Sequence, residues 1–315
     1  MKTKQYTTCQ CDKVVSVVIR VRNAAAHMQR CLAGLERQIL PPSVRLEIIV
    51  VDNGSTDESI LVARRYGAKI VSIEPDEFTW GRALNMGFAR ATGHIVLLLS
   101  SDTYTSDSNW LCEMLKPFSD SKVAAVYGRQ IPYRDAPVDE RVRLKKTFPA
   151  VSQRFNQNGA TVDPTGRGMI ASNACAAIRR DAWEALPYDE ILAGGEEGPW
   201  SYEVLRRGHA IVYQASAKVY HSHSDGPLKQ AWRHWELRVK DECLNGSRKR
   251  RTVTLRWMAS FAKRRLRNCL CPGLPMEVRL KGFAVLPLEL LAFAVIDVVP
   301  KKHVQLAKLK RLFWG

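Results

Sequence analysis

No G-x-G-x-x-G follows the first apolar run, and no Walker A loop occurs in the 315 residues. That argues against a dinucleotide site and a P-loop phosphate site. The eight cysteines form no C-x-x-C pair, which argues against a zinc ribbon. The opening residues, Met1 to Gln10, carry no apolar core of a secretory signal. The thiols are therefore expected to be reduced and the chain cytoplasmic. No internal repeat is visible. No uncharged apolar run approaches the roughly 20 residues of a spanning helix. The longest apolar stretch, Phe283 to Val299, is broken by Pro287, Glu289 and Asp297.

What is present is a strong basic excess, unevenly placed. The formal net charge is +17, of which +14 falls in residues 228–315 and +3 before them. The chain divides accordingly into a tail (1–13), an ordinary globular domain (14–227) and a basic extension (228–315). At 46% apolar residues, the core can be sizeable without disulfides or a structural metal.

Apolar runs at Val14–Ile19, Leu46–Val51, Lys69–Ile73 and Ile95–Leu99 alternate with helical patterns over 23–38, 58–66 and 80–91. That alternation predicts βαβ units and a mainly parallel sheet. A further helix over 109–118, strands at 123–127 and 172–178, a polar loop region over 130–163, a short helix over 180–186 and a helix opening at Gly194 follow. Short edge strands are expected at 210–213 and 218–220.

In open α/β sheets, ligands lie beyond the carboxyl ends of the strands. Asp102 stands there, after His94-Ile-Val-Leu-Leu-Leu-Ser-Ser. A helix cap or turn is the plainer reading of that carboxylate. Asp52-Asn-Gly-Ser-Thr-Asp57 follows the second strand and can meet a base or ribose edge, or be a simple turn. Glu196 and Glu197 open a helix, where a carboxylate is favoured by the dipole or serves as a general base. His221 and His223 alternate at a strand end and could offer imidazole to a metal or be surface residues.

Taken together, these segments resemble glycosyltransferase family 2 with its nucleotide-sugar GT-A fold, a Rossmann-like sandwich. The resemblance rests on Val15-Ser-Val-Val-Ile-Arg-Val-Arg-Asn23, Ile49-Val-Val-Asp-Asn-Gly-Ser-Thr-Asp57, Phe78-Thr-Trp-Gly-Arg-Ala-Leu-Asn-Met-Gly87 and Ala91 to Asp102. Ser172-Asn-Ala-Cys-Ala-Ala, Gly195-Glu-Glu-Gly-Pro-Trp200 and Tyr220-His-Ser-His223 look like the rhamnosyltransferase-like branch. The resemblance spans about residues 14–225. It implies that Asp52 and Asn53 meet the donor's base and that Arg82 and Asn85 lie near the nucleotide or diphosphate. Asp102 matches the last acid of a D-x-D metal motif. Glu197 matches the catalytic base, with Glu196 before it and Trp200 at the acceptor. His221 or His223 would complete a Mg²⁺ or Mn²⁺ site.

The chain departs from the pattern in three places. Ser100 replaces the first acid of D-x-D, the base is Glu rather than Asp, and Arg20 and Arg22 stand where proline is common. Either arginine could offset diphosphate charge. The implied activity is inverting transfer of a sugar from a nucleotide donor to a lipid-linked or polysaccharide hydroxyl. A catalytically inactive scaffold is the alternative that Ser100 motivates.

The basic extension interleaves Trp232, Trp235 and Trp257 with Arg and Lys. No RRM, KH or zinc-finger pattern accompanies them, so nucleic acid is not the expected partner. An interfacial helix over 283–299 on an anionic leaflet is expected, placing the enzyme peripherally on the inner face of the cell membrane. A spanning pass and a helix packed on the domain are the alternatives.

Overall fold

The computed structural model describes residues 13–157, 171–192, 194–223 and 255–297, and the side chains of the last segment from 258 to 291. Two compact units are present. One comprises residues 1–131 and 148–221, the other 132–147 and 222–315.

The first unit is built on β1 (Lys13–Val21), β2 (Val44–Asp52), β3 (Lys69–Ser72) and β4 (Ile95–Ser100). They pair in parallel in the order β3-β2-β1-β4. The helices α1 (Ala25–Glu36), α2 (Ser59–Arg65) and α3 (Trp80–Arg90) connect them. β-Branched and leucine side chains suit strands covered on both faces. Val17, Ile19, Val50, Leu97 and Leu99 are accordingly buried in one core cluster. Burial of each such side chain contributes about 1.5–3 kcal/mol. The strand β5 (Tyr104–Thr105), α4 (Trp110–Leu115), β6 (Val123–Ile131), β7 (Gln153–Phe155), β8 (Cys175–Arg179) and β9 (Ala210–Tyr220) complete a nine-stranded mixed sheet. β8 runs antiparallel to both β4 and β6, while β6 and β9 are parallel. The helices α6 (Arg180–Ala185) and α7 (Glu197–Arg206) separate β8 from β9.

Two expectations differ from what is observed. The pair of edge strands at 210–220 is one strand between β6 and β5. Its apparent break is a bulge: Gly128 pairs Gln214, but Arg129 pairs Lys218. The polar stretch 130–163 is not loop throughout. It carries α5 (Val138–Thr147) and β7, while residues 158–163 lie outside the described set. Asp139 and Glu140 in the first turn of α5 and Lys145 and Lys146 in its last turn complement the helix dipole. Val138, Val142 and Leu144 give it a buried face. Prolines and charge masked this helix.

In the second unit, α5 is joined by α8 (Leu255–Cys269) and α9 (Met276–Asp297). Buried Arg265 bridges Asp139 (2.9 Å) and Glu289 (2.6 Å), so all three helices share one ionic cluster. Burial raises the Glu289 carboxyl to about 7, against the pull of Arg265. Gly282 sits where an added Cβ would meet Cys269 Sγ at 2.6 Å and Val138 at 3.0 Å, so glycine permits this close packing. Among the described residues, no helix is long and apolar enough to cross a membrane.

Candidate active site

Strand register builds the site. Arg20 of β1 lies opposite Ser100 of β4, and Val21 opposite Asp52 of β2. The carboxyl ends of the parallel strands thus place Arg20, Asp52 and Ser100 in one row, with Asp102 just beyond.

Asp52 and Asn53 are both buried. The Asp52 carboxylate accepts from the Ser55 backbone N–H (3.1 and 3.3 Å), so it closes its own turn. Gly54 holds that turn at φ +67°, a conformation that favours glycine. The Asn53 side-chain oxygen is buried and, among the described residues, has no hydrogen-bond partner. An unpaired buried acceptor is costly unless a ligand donor meets it.

Asp102, His221 and His223 each offer a ligand atom, and these atoms lie within 4.8 Å of one another. His221 Nε2 stands 3.6 Å from Asp102 Oδ1. That exceeds N–H···O hydrogen-bond range. It falls within the span of two ligands on one ion, since metal–O and metal–N bonds of about 2.1 Å keep them no more than about 4 Å apart. His223 follows two residues later, so the chain itself keeps it near His221. The donor types of the three residues, one carboxylate and two imidazoles, suit a hard or borderline divalent cation. Ser100 is half-buried, and its carbonyl accepts from the Thr103 N–H (2.9 Å).

The two acids open α7 differently. Glu196 is the N-cap residue, but its side chain makes no capping bond. It is buried, accepts from Asn173 Nδ2 (3.1 Å) and faces Arg20 Nη1 at 3.6 Å. Tyr188 donates its hydroxyl to Asn173 Oδ1 (2.9 Å), extending the network. Glu197 is half-buried and carries a different burden. Burial first, and the neighbouring Glu196 carboxylate second, push its carboxyl up to about 7. Its own backbone N–H and Arg20 pull the other way. A helix N-terminus normally lowers a carboxyl pKa; here burial and the adjacent acid outweigh it.

Arg20 is buried, and its guanidinium lies 4.7 Å from the Trp80 ring centroid. Among the described residues, its Nε and Nη1 have no hydrogen-bond partner. A buried cation whose donors carry no hydrogen bond, even with Glu196 3.6 Å from Nη1, can still offer N–H groups to an oxyanion.

Other sequence-selected residues have local duties. Arg82 pairs with Glu77 (3.2 Å) at the surface. Asn85 donates to Tyr188 O and Glu190 Oε1 (2.9 Å each) and accepts from Trp183 Nε1 (2.9 Å) and Tyr188 N (3.1 Å). It therefore anchors α3 to the segment leading into Glu196. Gly81 lets that segment come close, because an added Cβ would stand 2.1 Å from Asp189 O. Trp200 is buried, donates Nε1 to Leu186 O (2.8 Å) and packs on Tyr188. Asn173, Tyr188 and Trp80 were not singled out for the site from sequence. Ser172-Asn at the start of β8 was the one local signal, since β8 begins at the ligand-facing edge.

The sequence matches glycosyl transferase family 2 over residues 16–186. It is 31% identical over 235 residues to the O-antigen chain rhamnosyltransferase WbaN of Salmonella anatum, covering 72% of each chain. It is 28% identical over 236 residues to RfbN of Salmonella typhimurium, also an O-antigen chain rhamnosyltransferase, covering 73% of each. Among solved structures, it resembles a Pyrobaculum calidifontis mannosyltransferase in complex with GDP-Man and Mn²⁺. There the TM-score is 0.52 and the identity 17%, covering 95% of this chain and 79% of that one. S. aureus TarS 1-349 matches with TM-score 0.53 and 15% identity over 90% of each chain. These likenesses support the GT-A fold, and the sequence matches establish the enzyme class: the chain is a glycosyltransferase and belongs to glycosyl transferase family 2.

Proposed function

We propose that the enzyme is an inverting transferase that moves a sugar of the rhamnose class from a nucleotide donor to a hydroxyl of a lipid-linked or polysaccharide acceptor. The observation that carries this reading is Glu197, half-buried at the ligand-facing edge with its carboxyl pushed up to about 7. A base with a pKa near the working pH combines availability with proton affinity. Glu197 takes the proton from the acceptor hydroxyl as that oxygen attacks the anomeric carbon. The bond to the diphosphate breaks on the opposite face, which inverts the centre. Glu196 holds its place through Asn173 and Arg20. Arg20 offers phosphate oxygens the N–H groups that carry no hydrogen bond. Asn53 offers its buried oxygen to a base N–H. Asp102, His221 and His223 would hold Mg²⁺ or Mn²⁺, which supplies Lewis-acid stabilisation of the departing diphosphate. The Salmonella relatives support the sugar and the polysaccharide acceptor.

A screen of nucleotide-linked sugars with and without Mn²⁺ tests this reading. Metal-dependent binding of a deoxyhexose donor is expected. Failure to bind any nucleoside diphosphate with Mn²⁺ present would favour the inactive scaffold that Ser100 motivates.

The second unit supports a place on the inner face of the cell membrane. Its helix α9 is inverted for a helix facing water: Glu289 points inward to Arg265, while Leu280, Leu288 and Leu291 are each more than half exposed. Phe283 is exposed too. On α8, Lys263, Arg264 and Arg267 are exposed beside Leu266, and exposed Leu270 lies just past its end. Apolar side chains with adjacent cations suit an anionic interface. Residues 228–254 and 298–315 of the basic extension lie outside the described residues. The full chain should float with vesicles containing phosphatidylglycerol and less with phosphatidylcholine alone. Phe283→Glu with Leu288→Glu should leave the protein in the dense fraction. Equal flotation of that variant would remove the helix from the interface.

A further inference from the structure

We propose that Asn173 is a positioning residue that determines which of the two adjacent acids holds a proton: its amide N–H keeps the negative charge on Glu196 and leaves Glu197 to take up and release the proton. The inference rests on the reading of Glu197 as the base and extends it to a residue that acts through Glu196.

Asn173 is buried just ahead of β8, and its side chain is bonded at both ends. Nδ2 donates to Glu196 Oε1 at 3.1 Å, and Oδ1 accepts from the Tyr188 hydroxyl at 2.9 Å. The amide has one donor end and one acceptor end, and an ionised carboxylate only accepts. Turning the amide over would set Oδ1 against Glu196 Oε1, two acceptors face to face, unless Glu196 took up a proton. That proton would cancel the carboxylate charge facing Arg20 Nη1 at 3.6 Å and leave a buried cation without it. Arg20 therefore favours the charge on Glu196, and that charge decides how the amide sits.

Tyr188 fixes the other end. Burial first, and the charges of Glu196 and Glu197 second, push its phenol well above the ordinary range, so the hydroxyl keeps its hydrogen and donates it. The Tyr188 backbone N–H is held by Asn85 Oδ1 at 3.1 Å, and its ring lies 5.6 Å from that of Trp200. Two interacting carboxyl groups share their protons unless their surroundings separate them. Arg20 acts on both acids, while the amide N–H is given to Glu196. What favours charge on Glu197 is its own backbone N–H and Arg20, and burial together with Glu196 outweighs them.

The test follows both carboxyl groups by the ¹³C resonances of the full chain, without ligand or metal, labelled at glutamate Cδ and assigned by their loss in E196Q and E197Q. In wild type the Glu197 carbon alone should pass from the protonated to the ionised shift through pH about 7. Asn173→Leu keeps roughly the volume and removes the N–H, and both carbons should then move through one shared step. The acid limb of transfer from a nucleotide-linked deoxyhexose should become shallower than unit slope in N173L, because part of the singly protonated enzyme keeps Glu197 ionised. Tyr188→Phe removes the hydroxyl and keeps the N–H on Glu196, so it should retain the unit slope. A purely structural role predicts that N173L lowers the rate while the limb and both carboxyl titrations stay as in wild type. That pattern, or a wild-type Glu196 carbon that carries the step near pH 7, would overturn the inference. Should N173L fail to fold, the wild-type titration still decides it. An acid limb that persists in E197Q would overturn the base reading itself and so is distinguishable from failure of the Asn173 assignment.

Discussion

Replacing Glu197 with Gln is expected to lower kcat by about 10²–10⁴-fold while leaving donor binding near wild type. The amide keeps the size of the side chain and removes the proton acceptor. Glu196→Gln should cost less, because Glu196 is engaged by Asn173 and Arg20 and acts through its neighbour. Its effect has a direction of its own. The Glu196 carboxylate helps raise the Glu197 pKa, so removing it should move the acid limb of the pH profile to lower pH. Arg20→Met should move that limb to higher pH, since Arg20 pulls the pKa down. Opposite shifts from two residues that face each other, Glu196 and Arg20, separate electrostatic tuning from general damage. Single-turnover transfer, with donor affinity measured alongside, checks the set.

The second large effect is expected at Asp102. Asp102→Ala removes the only carboxylate of the Asp102–His221–His223 cluster. Transfer should fall by about two orders of magnitude or more, because metal stabilisation of a departing diphosphate contributes several kcal/mol. His221→Ala should fall less and recover partly at high Mn²⁺, because a neighbouring ligand atom and the carboxylate remain. Full activity of folded Asp102→Ala at limiting metal would remove the residue from the site. Isothermal titration with Mn²⁺ and nucleoside diphosphate separates lost coordination from lost chemistry.

How much of this was readable in the sequence depended on the range of the interaction. The four parallel strands were legible because buried strands need uninterrupted apolar runs, and Ile95–Leu99 supplies one. Asp102 beyond β4, Glu197 at the opening of α7 and His221 beyond β9 stand at element boundaries that the sequence pattern located. Asn85 was selected for the nucleotide but spends its amide on Trp183, Tyr188 and Glu190, about one hundred residues later. No local pattern encodes a partner at that separation. Gln130 of β6 was hidden for a related reason: a polar residue at the end of a strand looks like the start of a loop until the His221 ring is brought within 2.8 Å of it. The continuous β9 was split in two because Gln214-Ala-Ser-Ala217 has weak strand character, while the bulge there is fixed by pairing with β6. Trp200 sits beside the base in sequence, yet its indole serves the Leu186 and Tyr188 packing.

The central claim is that Glu197 is the proton acceptor of an inverting transfer, and the pH dependence of kcat/KM tests it most directly. A general base must be ionised, so the rate should rise with unit slope up to pH about 7 and level off above it, given the raised carboxyl. The limb should disappear in Glu197→Gln, whose residual rate should be flat over the same range. A wild-type profile already level from about pH 5 upward, or the same limb persisting in Glu197→Gln, would contradict the account.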